Sequence, residues 1–381
     1  MTEGGDMANV HRREVLRGFV AGAVGAPLAG APSAAAERTE PPGDGPLSVK
    51  EVGSLLGQHK VPGASLAIIR NGEIVATYGY GVAQPNRPVT PRTRFQAASI
   101  SKTFNALAVL KLVEASEFRL DDPVNQRLQS WKLPDNALTA ATPVTIRMLL
   151  NHTGGTNTPG FVGYRPGAPL PTLIEILNGS PPANSSPIRV EWPSGQDFRY
   201  SGGGIMVLQQ MVIDVTRGRY LVVVDHLVFE LLQMRDSNFE QPPSAADMAR
   251  CAFGFGDDDA PLPGGFMVHP ELAAAGLWTT PYDLALMVIG IVQSRAGRPG
   301  AFLAQALAIE MLKPGAGGAG LGTIIDDKGM FWHNGGNVGF RSLYVGDPVS
   351  GNGMAAMTNG DKGEEVCNAL RQRVATAYGW R

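Results

Sequence analysis

A chain of 381 residues, 44% hydrophobic and 17% charged, is long enough for one large domain or two modest ones and has the composition of an ordinary soluble globular protein. Its 32 basic and 34 acidic residues leave a net charge of −2, with no basic run long enough to track a phosphate backbone, so nucleic acid is excluded as a partner. The two cysteines, Cys251 and Cys367, form no C-x-x-C, which excludes a zinc site or a disulfide framework and leaves a single bridge open.

In chain order, residues 1–36 read as a leader. Arg12-Arg13 precede a weakly apolar Ala/Gly segment ending in Ala34-Ala35-Ala36, a pattern that predicts twin-arginine export and cleavage before Glu37. That segment is too short and too rich in glycine to span a bilayer of about 30 Å. The mature protein is therefore expected outside the cytoplasm (extracellular, periplasmic or wall-associated), with no stable membrane span. Residues 37–48, with "EPPGDGP", read as a linker, and globular sequence starts at Val49.

In "ASLAIIRNGEIVATYGYGVA", apolar β-formers alternate around Asn71-Gly72, the dipeptide best suited to a type I′ turn, which predicts an antiparallel hairpin. Ser101 to Ala115 reads as a helix apolar on most sides, hence one buried on several faces. From Asp121 to Pro270 the pattern is short helices and Pro/Gly-rich loops without an internal repeat. Short β-like runs return in "GMFWHNGGNVGFRSLYVGDPVSGNGMAAMTNGD", and "EEVCNALRQRVATAY" closes as an amphipathic helix. The expected fold class is α/β (α+β): an antiparallel sheet formed by the N- and C-terminal segments (about 49–98 and 273–381), flanked by helices, with a mostly helical insertion (about 99–272).

One short stretch carries chemistry. In "QAASISKTF", Ser99 and Lys102 are three apart and face the same way on a helix, so the amine reaches the hydroxyl. Of eight lysines, only Lys102 has a serine three residues before it. A serine hydroxyl becomes a nucleophile only when a nearby base takes its proton, and a lysine serves only if desolvation or positive charge lowers its pKa. Taken alone, the pair reads equally as an N-cap serine and a solvated first-turn lysine.

Two further motifs follow: Tyr200-Ser201-Gly202 in "FRYSGGG" and His333-Asn334-Gly335 in "WHNGG". With "VPGASLAIIRNGEIV", "RMLLNHTGG", "AAGLWTTPYDLALM" and "GNVGFRSLYVGDPVSGNGMAAMTNGD", they make the chain from about Val49 onward resemble the serine hydrolases of the β-lactamase and penicillin-binding-protein family. The branch is the one containing class C β-lactamases, D-aminopeptidases and carboxylesterases. The resemblance implies a β-lactamase/transpeptidase-like fold, Ser99 as nucleophile, and Lys102 and Tyr200 as a coupled base, with Lys102 and His333 as the cations that stabilise a phenolate. It also implies that the backbone N–H groups of Ser99 and Gly336 bind the oxyanion, that Gly335-Gly336 let the strand approach substrate, and that no cofactor is needed.

Competing placements lose on order. Tyr344 also reads Y-x-G but follows His333, and His152 also reads H-x-G but precedes Tyr200; the resemblance implies that the His152 segment is a structural turn made by its glycines. The six histidines show no H-x-H or H-E-x-x-H spacing, which leaves no metal site, and Ser99 lies outside any G-x-S-x-G.

Substrate expectations come from two departures. β-Lactamases of the branch carry asparagine and lysine where this chain has Gly202 and His333, so two anchors for a β-lactam are weakened. The expected substrates are small esters, or amides and D-amino-acid peptides, with β-lactamase or DD-carboxypeptidase activity as the alternative. A non-catalytic sensor or binding protein on the same fold is the alternative of another class. Changing Gly202→Asn with His333→Lys is expected to favour β-lactams over esters.

Overall fold

A computed structural model describes residues 38–380; the leader 1–36 lies outside the described residues. Helix α1 (Val49–His59) starts at Ser48, whose hydroxyl accepts the N–H of Glu51, and ends on Lys60 in the left-handed conformation. Strands β1 (Gly63–Arg70) and β2 (Glu73–Gln84) form the expected hairpin, with Asn71 and Gly72 at φ 54° and 80° as a type I′ turn demands. After the short β3 (Arg87–Pro88) and β4 (Phe95–Gln96), helix α2 (Ser101–Glu114) runs through the interior, buried from Ser101 to Leu112. Short helices and loops lead to α3 (Gly202–Thr216), then α4 (Leu272–Ala275), β5 (Trp278–Thr279) and α5 (Pro281–Arg295). The chain closes with β6 (Ile324–Ile325), β7 (Phe331–Asn337), β8 (Phe340–Gly346), β9 (Gly353–Thr358) and α6 (Gly363–Tyr378).

Seven strands form one antiparallel sheet in the order β3-β2-β1-β9-β8-β7-β6, so the N-terminal hairpin adds directly to the C-terminal meander as predicted. β1 is buried on both faces, which is why "GASLAII" reads as a continuous apolar run. Leu66 and Ile68 point to one side, into the cluster with Val52 and Leu56 of α1 and Leu370 and Val374 of α6. Ala67 and Ile69 point to the other, against α5 and the main core. β4 pairs with β5 in a separate two-stranded ladder beside the start of α2.

Two expectations change. The stretch read as a linker is docked: Arg38 exchanges backbone hydrogen bonds with Val75 and Thr77 of β2, Leu47 is buried, and its carbonyl accepts the Tyr80 hydroxyl at 2.8 Å. The bridge left open between Cys251 and Cys367 is not made. Both thiols are free and buried, and burial pushes each up to about 12.

Candidate active site

The turn bearing Ser99 is pinned from several sides. The Ala97 N–H bonds the Leu277 carbonyl at 2.9 Å, the Ala97 carbonyl accepts the Ser342 hydroxyl at 2.8 Å, and the Ser101 hydroxyl donates to the Ala98 carbonyl at 2.6 Å. Between these ties Ala98 is held at φ 50°, a left-handed conformation that costs an alanine of order 1 kcal/mol. Ser99 is thereby half-exposed just ahead of α2, while its neighbours Ala98 and Ile100 are buried.

Lys102, on the first turn of α2, is 1% exposed. Its Nζ lies 3.0 Å from Ser99 Oγ and donates to the Ala274 carbonyl of α4 at 2.8 Å. No carboxylate hydrogen-bonds it among the described residues, and burial lowers its pKa to about 7. The solvated-lysine reading of the S-x-x-K pair is thus set aside by burial. α4 is itself fixed to α3, since the Ala273 N–H bonds Gln209 Oε1 at 2.8 Å.

Tyr200 precedes the N-cap of α3, where the Ser201 hydroxyl accepts the Gly204 N–H at 2.9 Å and donates to the Asn157 carbonyl at 2.6 Å. Lys102 Nζ lies 5.0 Å from the centre of the Tyr200 ring, and Ser99 is near enough to the phenol to act on its pKa. Burial pushes the phenol up from its ordinary 10, outweighing the lowering influence of Ser99. The structure therefore brings Ser99, Lys102 and Tyr200 together, with burial lowering the proton affinity of the amine and raising that of the phenol.

His333 corrects one expected role. It lies in β7 with its ring 6.0 Å from that of Tyr200, but it is 3% exposed, and burial together with the nearby Lys102 lowers it to about 4. Nδ1–H donates to the Asn334 carbonyl at 2.6 Å, leaving Nε2 a buried acceptor without a partner. A neutral imidazole cannot serve as the second cation beside Tyr200.

The two glycines that follow do different things. A Cβ on Gly335 would lie 2.1 Å from the Ala97 carbonyl oxygen and 2.5 Å from Ser342 Oγ, so β7 can approach the Ser99 turn only with glycine there. A Cβ on Gly336 would meet nothing nearer than Arg341 at 3.5 Å. Gly335→Ala is expected to lower stability by about 1–3 kcal/mol through overpacking, while Gly336→Ala leaves it nearly unchanged. Denaturant unfolding of the two variants measures the difference.

Sequence reasoning missed several groups. His152, assigned to a turn, is 4% exposed and lies against Tyr200 with ring centres 4.5 Å apart and planes tilted by 40°, while its Nδ1 accepts the Ser201 N–H at 3.2 Å. Burial lowers its pKa well below the ordinary value and so holds it neutral; nothing in "NHTGG" distinguishes this setting from a plain turn. The Ala274 carbonyl that holds Lys102 is a backbone group, which residue types cannot announce. His269 and Glu271 are fully buried 3.9 Å apart with all four side-chain polar atoms unpartnered, and burial moves them in opposite directions, to about 4 and about 7. Tyr344, set aside by motif order, is a core residue bonded to Thr103 and Thr323.

Among the described residues one trio, Asp225, His226 and Glu230, could converge on a cation, a spacing outside the histidine patterns considered above. It has two exposed members, and His226 is already engaged by Glu230 at 2.8 Å.

The fold is similar to that of EstCE1, described as a hydrolase with promiscuous acyltransferase activity, with a TM-score of 0.68 and 23% identity, covering 87% of this chain and 97% of that one. It is also similar to the D-amino acid amidase of Ochrobactrum anthropi SV3, with a TM-score of 0.65 and 24% identity, covering 86% and 97%. The architecture is that of β-lactamases and penicillin-binding proteins. Residues 42–378 match the Beta-lactamase family, and the chain belongs to that family of serine hydrolases. Among curated sequences, Protein flp of Staphylococcus aureus (strain MW2) is 26% identical over 188 residues; the match takes in 48% of this chain and 35% of that protein, so the chain spans about a third of its length. Among the described residues no helix is long and apolar enough to cross a membrane.

Proposed function

We propose that this chain hydrolyses small esters or amides through an acyl-enzyme on Ser99, with Lys102 as the base. The observation that carries the reading is the buried Lys102 amine, 3.0 Å from Ser99 Oγ and with a pKa near 7. As Oγ attacks the substrate carbonyl carbon, neutral Lys102 takes its proton and the carbonyl π pair moves onto oxygen. The backbone N–H groups of Ser99 and Gly336 are the proposed donors to that oxyanion. Collapse of the tetrahedral species breaks the bond to the leaving group, which takes a proton relayed from the Lys102 ammonium through the Tyr200 hydroxyl. A water molecule then attacks the ester on Ser99 with the same base, releasing the acid and restoring the Ser99 hydroxyl.

Esters stand ahead of β-lactams because neither family anchor is present: residue 202 is glycine, and His333 is neutral at any pH well above about 4. The test is kcat/KM for p-nitrophenyl butyrate, a D-amino-acid amide and nitrocefin, with intact-mass detection of a fluorophosphonate adduct. Turnover of the ester or amide above nitrocefin, with one adduct on Ser99, supports the reading. Preference for nitrocefin overturns the substrate assignment. A protein that is never labelled, or is acylated permanently, is the binding module instead. Export rests on Arg12-Arg13: cleavage should leave Glu37 first, and a secreted protein still beginning at Met1 would refute it.

A further inference from the structure

Residues 157–164 form a strap across the N-terminus of α3. Its near end is tied by Asn157, whose side chain bonds the Pro187 carbonyl and the Arg189 N–H, each at 3.0 Å, and whose carbonyl takes the Ser201 hydroxyl. The Thr158 and Pro159 carbonyls then accept the Gly203 and Gly202 N–H groups at 2.9 and 3.2 Å, so two of the free donors that open α3 are taken by the strap. The far end is fixed where Tyr164 exchanges backbone hydrogen bonds with Val268 and where Gly163, at φ 76°, leaves no room for a Cβ against the His269 ring.

Between these fixed ends the tip is open. A Cβ on Gly160 would meet nothing within 4 Å, Phe161 is half-buried, and Val162 is 65% exposed. The Phe161 ring is aimed at Gly202: a Cβ on Gly202 would lie 3.1 Å from Phe161 Cε2, 3.5 Å from Cδ2 and 3.2 Å from the Pro159 carbonyl oxygen. Gly202 is two residues from Tyr200, whose ring lies 5.0 Å from the Lys102 Nζ that is bonded to Ser99.

We propose that Phe161 sets the size and polarity of the acyl group accepted at Ser99, because its ring fills the space that a side chain at residue 202 would otherwise occupy. This rests on the serine-hydrolase reading above and narrows its substrates. On this proposal the acyl side of the cleft is bounded by the Phe161 ring, carried on a strap. It fits short, unbranched acyl chains, and it closes the place where a polar side chain at residue 202 would greet an acylamino group. The same contact bears on the exchange expected to favour β-lactams, since Gly202→Asn has no room until Phe161 moves.

The experiment compares p-nitrophenyl acetate, butyrate and octanoate for wild type, Phe161→Leu and Phe161→Ala, each verified as folded by its melting temperature. Wild-type kcat/KM is expected to fall with chain length. The octanoate-to-acetate ratio should then rise in the order wild type, Leu, Ala, by about tenfold or more at alanine, since one methylene of space in an apolar pocket discriminates on that scale. Gly202→Ala should lower ester turnover in the wild-type background and be rescued when combined with Phe161→Ala, the non-additivity of two side chains competing for one space. A ratio unchanged in folded variants, a wild type that prefers octanoate, or a Gly202→Ala defect that Phe161→Ala does not relieve would each overturn the proposal while Ser99 labelling stands. Absence of Ser99 labelling and of all ester turnover would remove the parent reading and this one together.

Discussion

Ser99→Ala is expected to reduce ester turnover by about a thousandfold or more and to abolish fluorophosphonate labelling, with the melting temperature nearly unchanged. The hydroxyl is the one group at the centre of the cluster, 3.0 Å from Lys102 Nζ, so its loss removes the only proposed acceptor of the acyl group. Little of the fold depends on it. Lys102 keeps the Ala274 carbonyl, and the turn keeps the Ala97, Ser101 and Ser342 hydrogen bonds that hold it. A folded Ser99→Ala protein with full turnover would end the nucleophile assignment.

Lys102→Met is expected to cost at least about a hundredfold in kcat, the usual contribution of a positioned base. In the wild type, activity should rise with pH through a limb near 7, because the amine must be neutral to accept the Ser99 proton. Tyr200→Phe separates the two candidate bases. Turnover should fall as the proton relay is lost, yet the limb near 7 should stay, since the burial that sets it acts on Lys102. A limb that vanishes with Tyr200→Phe would restore the phenolate as base.

Stability gives an independent readout of the same burial. A lysine with a folded pKa depressed from 10.5 to about 7 destabilises the native state in full below pH 7, and that penalty is relieved as pH climbs from about 7 towards 10.5. Lys102→Met should therefore raise the melting temperature more at pH 6 than at pH 9. Equal shifts at both pH values would mean that the amine is not held neutral by its surroundings.

Local patterns carried much of this architecture into the sequence. Asn71-Gly72 announces a turn whose φ values only such residues adopt readily, and the apolar run of β1 and the all-round apolar α2 follow directly from burial on two or more faces. Ser99, Lys102 and Tyr200 were legible because their chemistry depends on side-chain type and order. What stayed hidden depends on surroundings instead. His333 could not be read as neutral without its burial, nor His152 as a neighbour of Tyr200 without the fold that brings their rings together. Phe161 lies far from Gly202 in sequence, and only the fold brings its ring against the place of a Cβ on Gly202. The docked stretch before Val49 looked like a linker because backbone pairing at a strand edge leaves no mark on composition.

The pairing of β1 with β9 sets the order in which the molecule can assemble. β1 and β2 leave the ribosome early and can zip into a hairpin at once, but β1 then presents an unpaired edge until β9, its other neighbour, has been synthesised near the end of the chain. Most of the polypeptide must be looped out before that contact forms, which raises contact order and slows folding. A ribosome stalled after α5 would hold a nascent chain with an apolar, sticky strand and nothing to cover it. Products cut before Gly353 are therefore expected to aggregate through the uncovered edge of β1.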